Sequence, residues 1–148
     1  MSRVEKAVTL FKSGYNCAQA VAGAYADVFG MDENTALRAV EGLGGGIGRM
    51  RLTCGAVTGM TFLCGLKYSK GAAGDIETRT LIYDTVRKMA KEFEQMNGSI
   101  ECAALLEGKI PKVEGAKPED RTEEYYKKRP CIGCVQDCAE LVQKYLIE

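Results

Sequence analysis

Seven cysteines are the residues of this 148-residue chain best suited to redox chemistry or metal binding. Four stand where a helix is predicted to begin: Cys17 after Asn16, Cys54 after Thr53, Cys102 three residues after Ser99, and Cys131 after Pro130. The amide N–H groups of a first helical turn lack helical partners, and this end of the helix dipole is positive. Both effects favour the thiolate, the form of cysteine that attacks disulfides and binds metals. We therefore predict that these four sulfurs converge on one site.

The absence of histidine narrows the chemistry further. Cys–His nucleophilic pairs, Ser–His–Asp triads, mixed Cys/His zinc sites and histidine-ligated haem are all excluded. Because seven is an odd number, disulfide bonds within one chain cannot pair every cysteine. Cysteine is left as the one plausible soft ligand or strong nucleophile.

Composition argues against nucleic-acid and membrane functions. The 20 Lys and Arg residues balance the 20 Asp and Glu residues, so no net charge attracts nucleic acid or an anionic membrane. No apolar run is long enough to span a bilayer. The first residues intersperse charges among apolar side chains, unlike a secretory signal. We expect a cytoplasmic protein, where structural disulfides are rare.

Hydrophobic periodicity predicts an all-α fold, a single-domain bundle (residues 1–148) of six or seven helices. The predicted helical segments are 4–11, 16–29, 32–43, 54–66 with Thr53 as its cap, 75–96, 99–106, one turn within 122–127, and 131–146. Residues 107–130 are charged, contain Pro111 and Pro118, and predict a surface loop.

Glycines occur in two informative groups. The segment 44–48 (GGGIG) breaks helicity and predicts a glycine-rich interhelical turn, which either wraps around the cysteine site or is an ordinary flexible loop. Gly55 and Gly59 lie four residues apart and leave a bare helix face beside Cys54. This face favours close approach by a neighbour, and it is a candidate surface for a homodimer.

Five stretches of the chain together carry a family resemblance. They are 14–21 (GYNCAQAV), 44–50 (GGGIGRM), 54–59 (CGAVTG), 98–102 (GSIEC) and the terminal helix that begins at Cys131. In this order they resemble the C_GCAxxG_C_C family of redox-active proteins over nearly the whole chain. The resemblance implies a redox role and matches Cys17, Cys54, Cys102 and Cys131, which we take as candidate catalytic residues. Cys64, Cys134 and Cys138 depart from the family pattern.

Two kinds of chemistry remain open for these cysteines. Four thiolates suit an iron–sulfur cluster or an all-cysteine zinc site, with Cys134 as a further candidate metal ligand. Alternatively, one helix-start thiolate attacks a disulfide and a second cysteine resolves it. Dispersed cysteines favour a cluster over zinc, and we place the cluster slightly ahead of the disulfide pair. Cys64 and Cys138 are also explained as small buried hydrophobic residues.

The remaining site predictions concern contacts around the cysteines. Gly55, Gly59 and Arg49 are candidates for holding a cofactor, and Arg49 with Arg51 can meet an anionic substrate, although such arginines are more often solvated or paired. The main hypothesis is a redox protein, either an oxidoreductase or an accessory redox subunit with an oxidoreductase partner. The alternative is a non-catalytic helical module that binds zinc or a partner protein.

Overall fold

Capping residues supplied by the sequence set most of the helix boundaries. A computed structural model of the protein describes residues 1–110 and 115–148. These residues contain eight α-helices: α1 (Arg3–Lys12), α2 (Cys17–Tyr25), α3 (Glu33–Val40), α4 (Gly55–Tyr68), α5 (Ile76–Asn97), α6 (Cys102–Leu106), α7 (Glu123–Lys128) and α8 (Cys131–Val142). Ser2 and Asn16 form capping boxes at the starts of α1 and α2. The prediction of an all-helical chain is confirmed, with eight helices in the described residues where six or seven were predicted.

Two predicted helix starts are wrong, for one reason. Cys54 is the N-cap of α4, so Thr53 lies outside the helix and does not cap it. Likewise α6 begins at Cys102 and not at Ser99. Residues 51–54 pair with residues 100–103 in a short antiparallel contact, in which the Cys54 N–H donates to the Ile100 carbonyl at 2.7 Å. This pairing extends the backbone on both sides, and it brings Cys54 and Cys102 towards each other.

Helix α2 lies at the centre of the molecule. Its residues from Ala18 to Tyr25 are all buried, and α1, α3, α4 and α8 pack around it. Five of its nine residues are alanine or glycine, which lets its neighbours approach closely. The Tyr25 hydroxyl donates to the Ala139 carbonyl at 2.9 Å and ties α2 to α8. Helix α4 packs directly against α2.

The bare glycine face of α4 is filled by α2 of the same chain. A Cβ atom at Gly59 would lie 2.8 Å from the Ala18 carbonyl oxygen, and one at Gly55 would lie 3.3 Å from the Cβ of Cys17. Real Cβ atoms do not come as close as the first of these distances, so this crossing requires glycine at position 59. It holds Cys17 and Cys54 at the same end of the bundle, and the face is not free for a homodimer contact.

The segment after α3 winds in the left-handed sense. Six of the seven residues from 45 to 51 have φ between +55° and +72°, and three of them are not glycine: Ile47, Arg49 and Arg51. Each such non-glycine residue costs about 1–2 kcal/mol. The N–H groups of Arg51 and Leu52 donate back to the carbonyls of Gly45 and Gly46. The segment is thus held in a fixed coil that presents two arginines.

The rest of the chain completes the bundle. On α5, Met89 and Phe93 are fully buried whereas Met96 is 48% exposed. Within the predicted loop at 107–130, α7 packs its tyrosines against Phe11, while residues 111–114, including Pro111, lie outside the described residues. No helix in the described part of the chain is long and apolar enough to cross a membrane.

Candidate thiol site

Five of the seven cysteines line one small cavity at the end of the bundle where four helices begin. They are Cys17, Cys54, Cys102, Cys131 and Cys134. The cavity has a volume of about 50 Å³, room for a few water-sized groups. The four cysteines singled out from the sequence therefore surround one space, and Cys134 joins them. What the sequence did not indicate is how they are arranged within it.

Cys17 and Cys131 form the outer pair of the site. Both are partly exposed, and they are the first residues of α2 and α8. The Cys17 thiol lies within hydrogen-bonding reach of the Cys131 sulfur, and this contact raises the pKa of Cys17 and lowers the pKa of Cys131. The pair therefore loses its first proton readily, and the negative charge is favoured at Cys131.

Cys54 and Cys134 form the inner pair. Both are buried, with exposures of 5% and 2%. Hydrogen bonding from Cys134, together with the backbone N–H groups of Ala56 and Val57, lowers the pKa of Cys54 to about 7. The same contact raises the pKa of Cys134. Cys54 precedes α4 as its N-cap, so the amides that stabilise its thiolate are those of the first helical turn.

The CxxC at the start of α8 thus does not act as a self-contained pair. Cys131 reaches the start of α2, and Cys134, one turn later, reaches the start of α4. Helix α8 can meet both partners because it packs against α2 and α4. Both pairs line the same cavity.

Cys102 stands apart as the fifth thiol of the cavity. Its sulfur has no cysteine within hydrogen-bonding reach but lies 3.7 Å from the Arg51 guanidinium, which donates to it. Burial raises the pKa of Cys102, and Arg51 opposes the increase. A Cβ atom at Gly46 would lie 2.7 Å from the Cβ of Cys102. The left-handed segment therefore packs directly against this thiol.

Cys138 and Cys64 do not line the cavity. Cys138 is fully buried one turn beyond Cys134, and burial raises the pKa of its thiol. Cys64 is fully buried on α4, and burial raises its pKa to about 11. Its thiol donates weakly to the Ile82 carbonyl at 3.9 Å. Both positions are those of small core residues.

The cysteines are arranged in pairs, and this arrangement bears on whether they can bind a metal ion. Among residues 1–110 and 115–148, no group of three or more Cys, Asp or Glu side chains has the arrangement that holds a metal ion. The five thiols suit a soft metal, but the described residues do not place three of them as ligands of one ion. The two sulfur–sulfur contacts are those that dithiol chemistry needs.

Arginines surround the thiols, and sequence reasoning missed two of them. Arg51, Arg121 and Arg129 line the cavity, which has no carboxylate in its lining. Glu119 is not among the residues that line the cavity. It pairs with Arg49, and with Arg129 at 2.8 Å. Although burial acts to raise it, the pKa of Glu119 is lowered by these arginines. Arg121 and Arg129 come from a segment without hydrophobic periodicity, so no sequence pattern linked them to the cysteines.

The three residues predicted to hold a cofactor lie in different parts of the structure. Gly55 lines the cysteine cavity. Gly59 packs against Ala18 and does not line it. The Arg49 side chain is 9% exposed and pairs with Glu119, while the neighbouring Arg51 donates to the Cys102 sulfur. Of the two arginines considered from the sequence, Arg51 is the one beside the site.

Comparison with known proteins adds one finding. The family model described as "Putative redox-active protein (C_GCAxxG_C_C)" matches residues 15–145. No curated protein matches the chain significantly, and neither does any solved structure.

Proposed function

The chain belongs to the C_GCAxxG_C_C family of redox-active proteins, and on this premise we propose that it carries out thiol–disulfide exchange through two cysteine pairs. The observation that carries the proposal is that Cys17, Cys54, Cys131 and Cys134 line one small cavity. Within it the Cys17 sulfur interacts with that of Cys131, and the Cys54 sulfur with that of Cys134. In each pair one sulfur is favoured as the thiolate. The other sulfur lies beside it as the resolving thiol.

The outer pair is the one that meets a substrate. Cys131 and Cys17 are partly exposed, whereas Cys54 and Cys134 are buried behind them. The Cys131 thiolate attacks a substrate disulfide, breaks its S–S bond, forms a mixed disulfide and releases one thiolate. The Cys17 thiol then loses its proton and attacks the Cys131 sulfur, which releases the second thiolate. Two electrons pass from the protein to the substrate, and the protein keeps a Cys17–Cys131 bond.

With the inner pair, the protein can donate four electrons in total. Cys134 lies one helical turn from Cys131, so exchange between the pairs can carry the oxidation inwards. Cys54, with its pKa near 7, is the thiolate that attacks the oxidised outer pair. An oxidoreductase partner that returns the electrons fits this cycle.

The experiment is peptide mapping after controlled oxidation. Fully reduced protein is treated with bis(2-hydroxyethyl) disulfide, quenched with acid, alkylated and digested for mass spectrometry. We expect two bridges, 17–131 and 54–134, and unbridged Cys64. Cys134→Ser should abolish the second bridge and keep the first, and Cys64→Ser is the matched control that should change neither. Failure to form either bridge, or random bridging that includes Cys64, would contradict the proposal.

An iron–sulfur cluster is the second candidate, and zinc follows it. The observation that favours a soft metal is the lining of one cavity by five thiols without a carboxylate. When bound, a cluster would supply one-electron transfer. Iron with acid-labile sulfide in anaerobically purified protein would support this candidate, and its loss in Cys102→Ser would separate it from the paired-thiol proposal, which does not use Cys102. Inert thiols without metal would instead support the non-catalytic module.

A further inference from the structure

The charge around the thiols indicates what kind of substrate they meet. Arg51, Arg121 and Arg129 line the cavity together with five cysteines, and none of the lining residues is Asp or Glu. Arg49 stands behind them and pairs with Glu119. These four guanidinium groups outnumber the one carboxylate that pairs with them, Glu119, by three, so arginines are in excess over carboxylates around the thiols.

Contacts within the chain hold the arginines in place. Arg121 donates to the backbone carbonyls of Phe11 at 3.2 Å and Tyr15 at 3.0 Å. Its guanidinium also lies 4.7 Å from the centroid of the Tyr125 ring. Within residues 1–110 and 115–148 Arg121 has no carboxylate within 4.0 Å. A cation positioned by neutral groups keeps its charge available to a ligand.

The other two lining arginines are only partly neutralised. Arg129 shares the Glu119 carboxylate with Arg49. Arg51 is 3.9 Å from the same carboxylate and turns its other nitrogen to the Cys102 sulfur at 3.7 Å. Arg51 also holds φ at +61°, a strained conformation for a residue other than glycine. Strain of this kind is typical of functional positions.

From this placement we propose that the substrate of the paired thiols is a small anionic disulfide, whose acid groups bind Arg51, Arg121 and Arg129. The inference rests on the proposed thiol–disulfide exchange and names its substrate class. The acid groups of such a disulfide neutralise the excess charge at the cavity mouth, and its sulfurs then lie beside the partly exposed Cys131. A neutral or cationic disulfide lacks this attraction.

The exchange balances without another reactant. The protein dithiol and the anionic disulfide R–S–S–R give the protein disulfide and two R–SH molecules. One S–S bond breaks in the substrate and one forms between Cys17 and Cys131. The two protons lost by the protein thiols go to the released thiolates, and the two electrons go with them.

The test compares three small disulfides that differ in charge: dithiodiglycolate, bis(2-hydroxyethyl) disulfide and cystamine. Each rate constant with reduced protein is divided by the rate constant of the same disulfide with free dithiothreitol, a neutral dithiol, which removes intrinsic reactivity. At low salt we expect the normalised rate to be about tenfold or more higher for the dianion than for the neutral compound, and lowest for the dication. Added sodium chloride should reduce this preference.

Three variants sharpen the test. Arg51→Gln should reduce the preference for the dianion several-fold, and Arg51→Lys should restore part of it because charge is retained. Arg87→Gln is the control for net charge, since Arg87 is exposed on α5 and this helix contributes no residue to the cavity. Circular dichroism checks that each variant is folded.

The outcomes distinguish a failure of the anionic substrate class from a failure of the proposed thiol–disulfide exchange. Equal normalised rates for the three disulfides, or equal slowing of all three by Arg51→Gln, would overturn the anionic substrate class while thiol–disulfide exchange stands. If none of the three oxidises either cysteine pair, thiol–disulfide exchange itself fails.

Discussion

Cys54 and Cys64 lie at opposite ends of one helix and have opposite chemical character. Both are buried, with exposures of 5% and 0%, so burial does not distinguish them. Cys54 has a sulfur donor and two backbone N–H groups, and its pKa falls to about 7. Cys64 faces an apolar core and a carbonyl oxygen, and its pKa rises to about 11. The partners of a thiol, more than its burial, decide whether it can react.

The largest expected effect is on packing at two glycines of α4, Gly59 and Gly65. A methyl group at Gly59 would meet the Ala18 carbonyl oxygen at 2.8 Å, whereas Gly65 has open space around the same position. We expect Gly59→Ala to lower the free energy of unfolding by about 1–3 kcal/mol through overpacking. Gly65→Ala should raise it by about 0.5–1 kcal/mol, because alanine favours the helix. Urea denaturation of both variants measures the difference, and equal effects would show that α2 and α4 do not cross closely at Gly59.

The next largest expected effect is the difference in alkylation rate between Cys54 and Cys64. At pH 7.5 most of Cys54 and very little of Cys64 is thiolate, given their pKa values of about 7 and 11. The weaker intrinsic nucleophilicity of a low-pKa thiolate offsets part of this difference. We expect metal-free, reduced protein to be alkylated by iodoacetamide at Cys54 roughly tenfold or more faster than at Cys64. The rate at Cys54 should rise with pH through a midpoint near 7 and then level off.

Mass spectrometry of quenched samples gives both rates in one experiment. Cys134→Ala should retain the helix amides around Cys54 but remove the hydrogen bond to its sulfur, which moves the midpoint upwards. A common, slow rate at the two cysteines would refute the contrast between the ends of α4.

The smallest expected effect is that of the Arg51 charge on the reactivity of Cys102. Arg51 lowers the pKa of Cys102 against the effect of burial, so Arg51→Gln should raise this pKa. At pH 8 alkylation of Cys102 should slow by about 2–5-fold. Lys67→Gln removes a charge near the other end of α4 and should leave Cys102 unchanged. If both variants slow Cys102 equally, the effect comes from net charge and not from the 3.7 Å contact.

Sequence reasoning identified the cysteines but not their pairing. Helix starts are local features, so Asn16 and Pro130 could mark Cys17 and Cys131 without any knowledge of the fold. The pairing depends on how α8 lies across α2 and α4, which is a property of tertiary packing. The pairing of residues 51–54 with 100–103 likewise overrode the capping tendency of Thr53 and Ser99. Such long-range contacts carry no short-range signal.

The outer pair joins positions 17 and 131, and this separation has a consequence for synthesis. At about 5–20 residues per second, roughly 6–23 seconds pass between translation of Cys17 and translation of its partner. During that time Cys17 and Cys54 are both present, and the α8 cysteines that contact them in the folded protein do not yet exist. Any bridge between these two early cysteines would be non-native. The thiol cavity is therefore complete only after α8 has been translated, and a bridge formed earlier between Cys17 and Cys54 would have to be reduced before the two cysteines could contact α8.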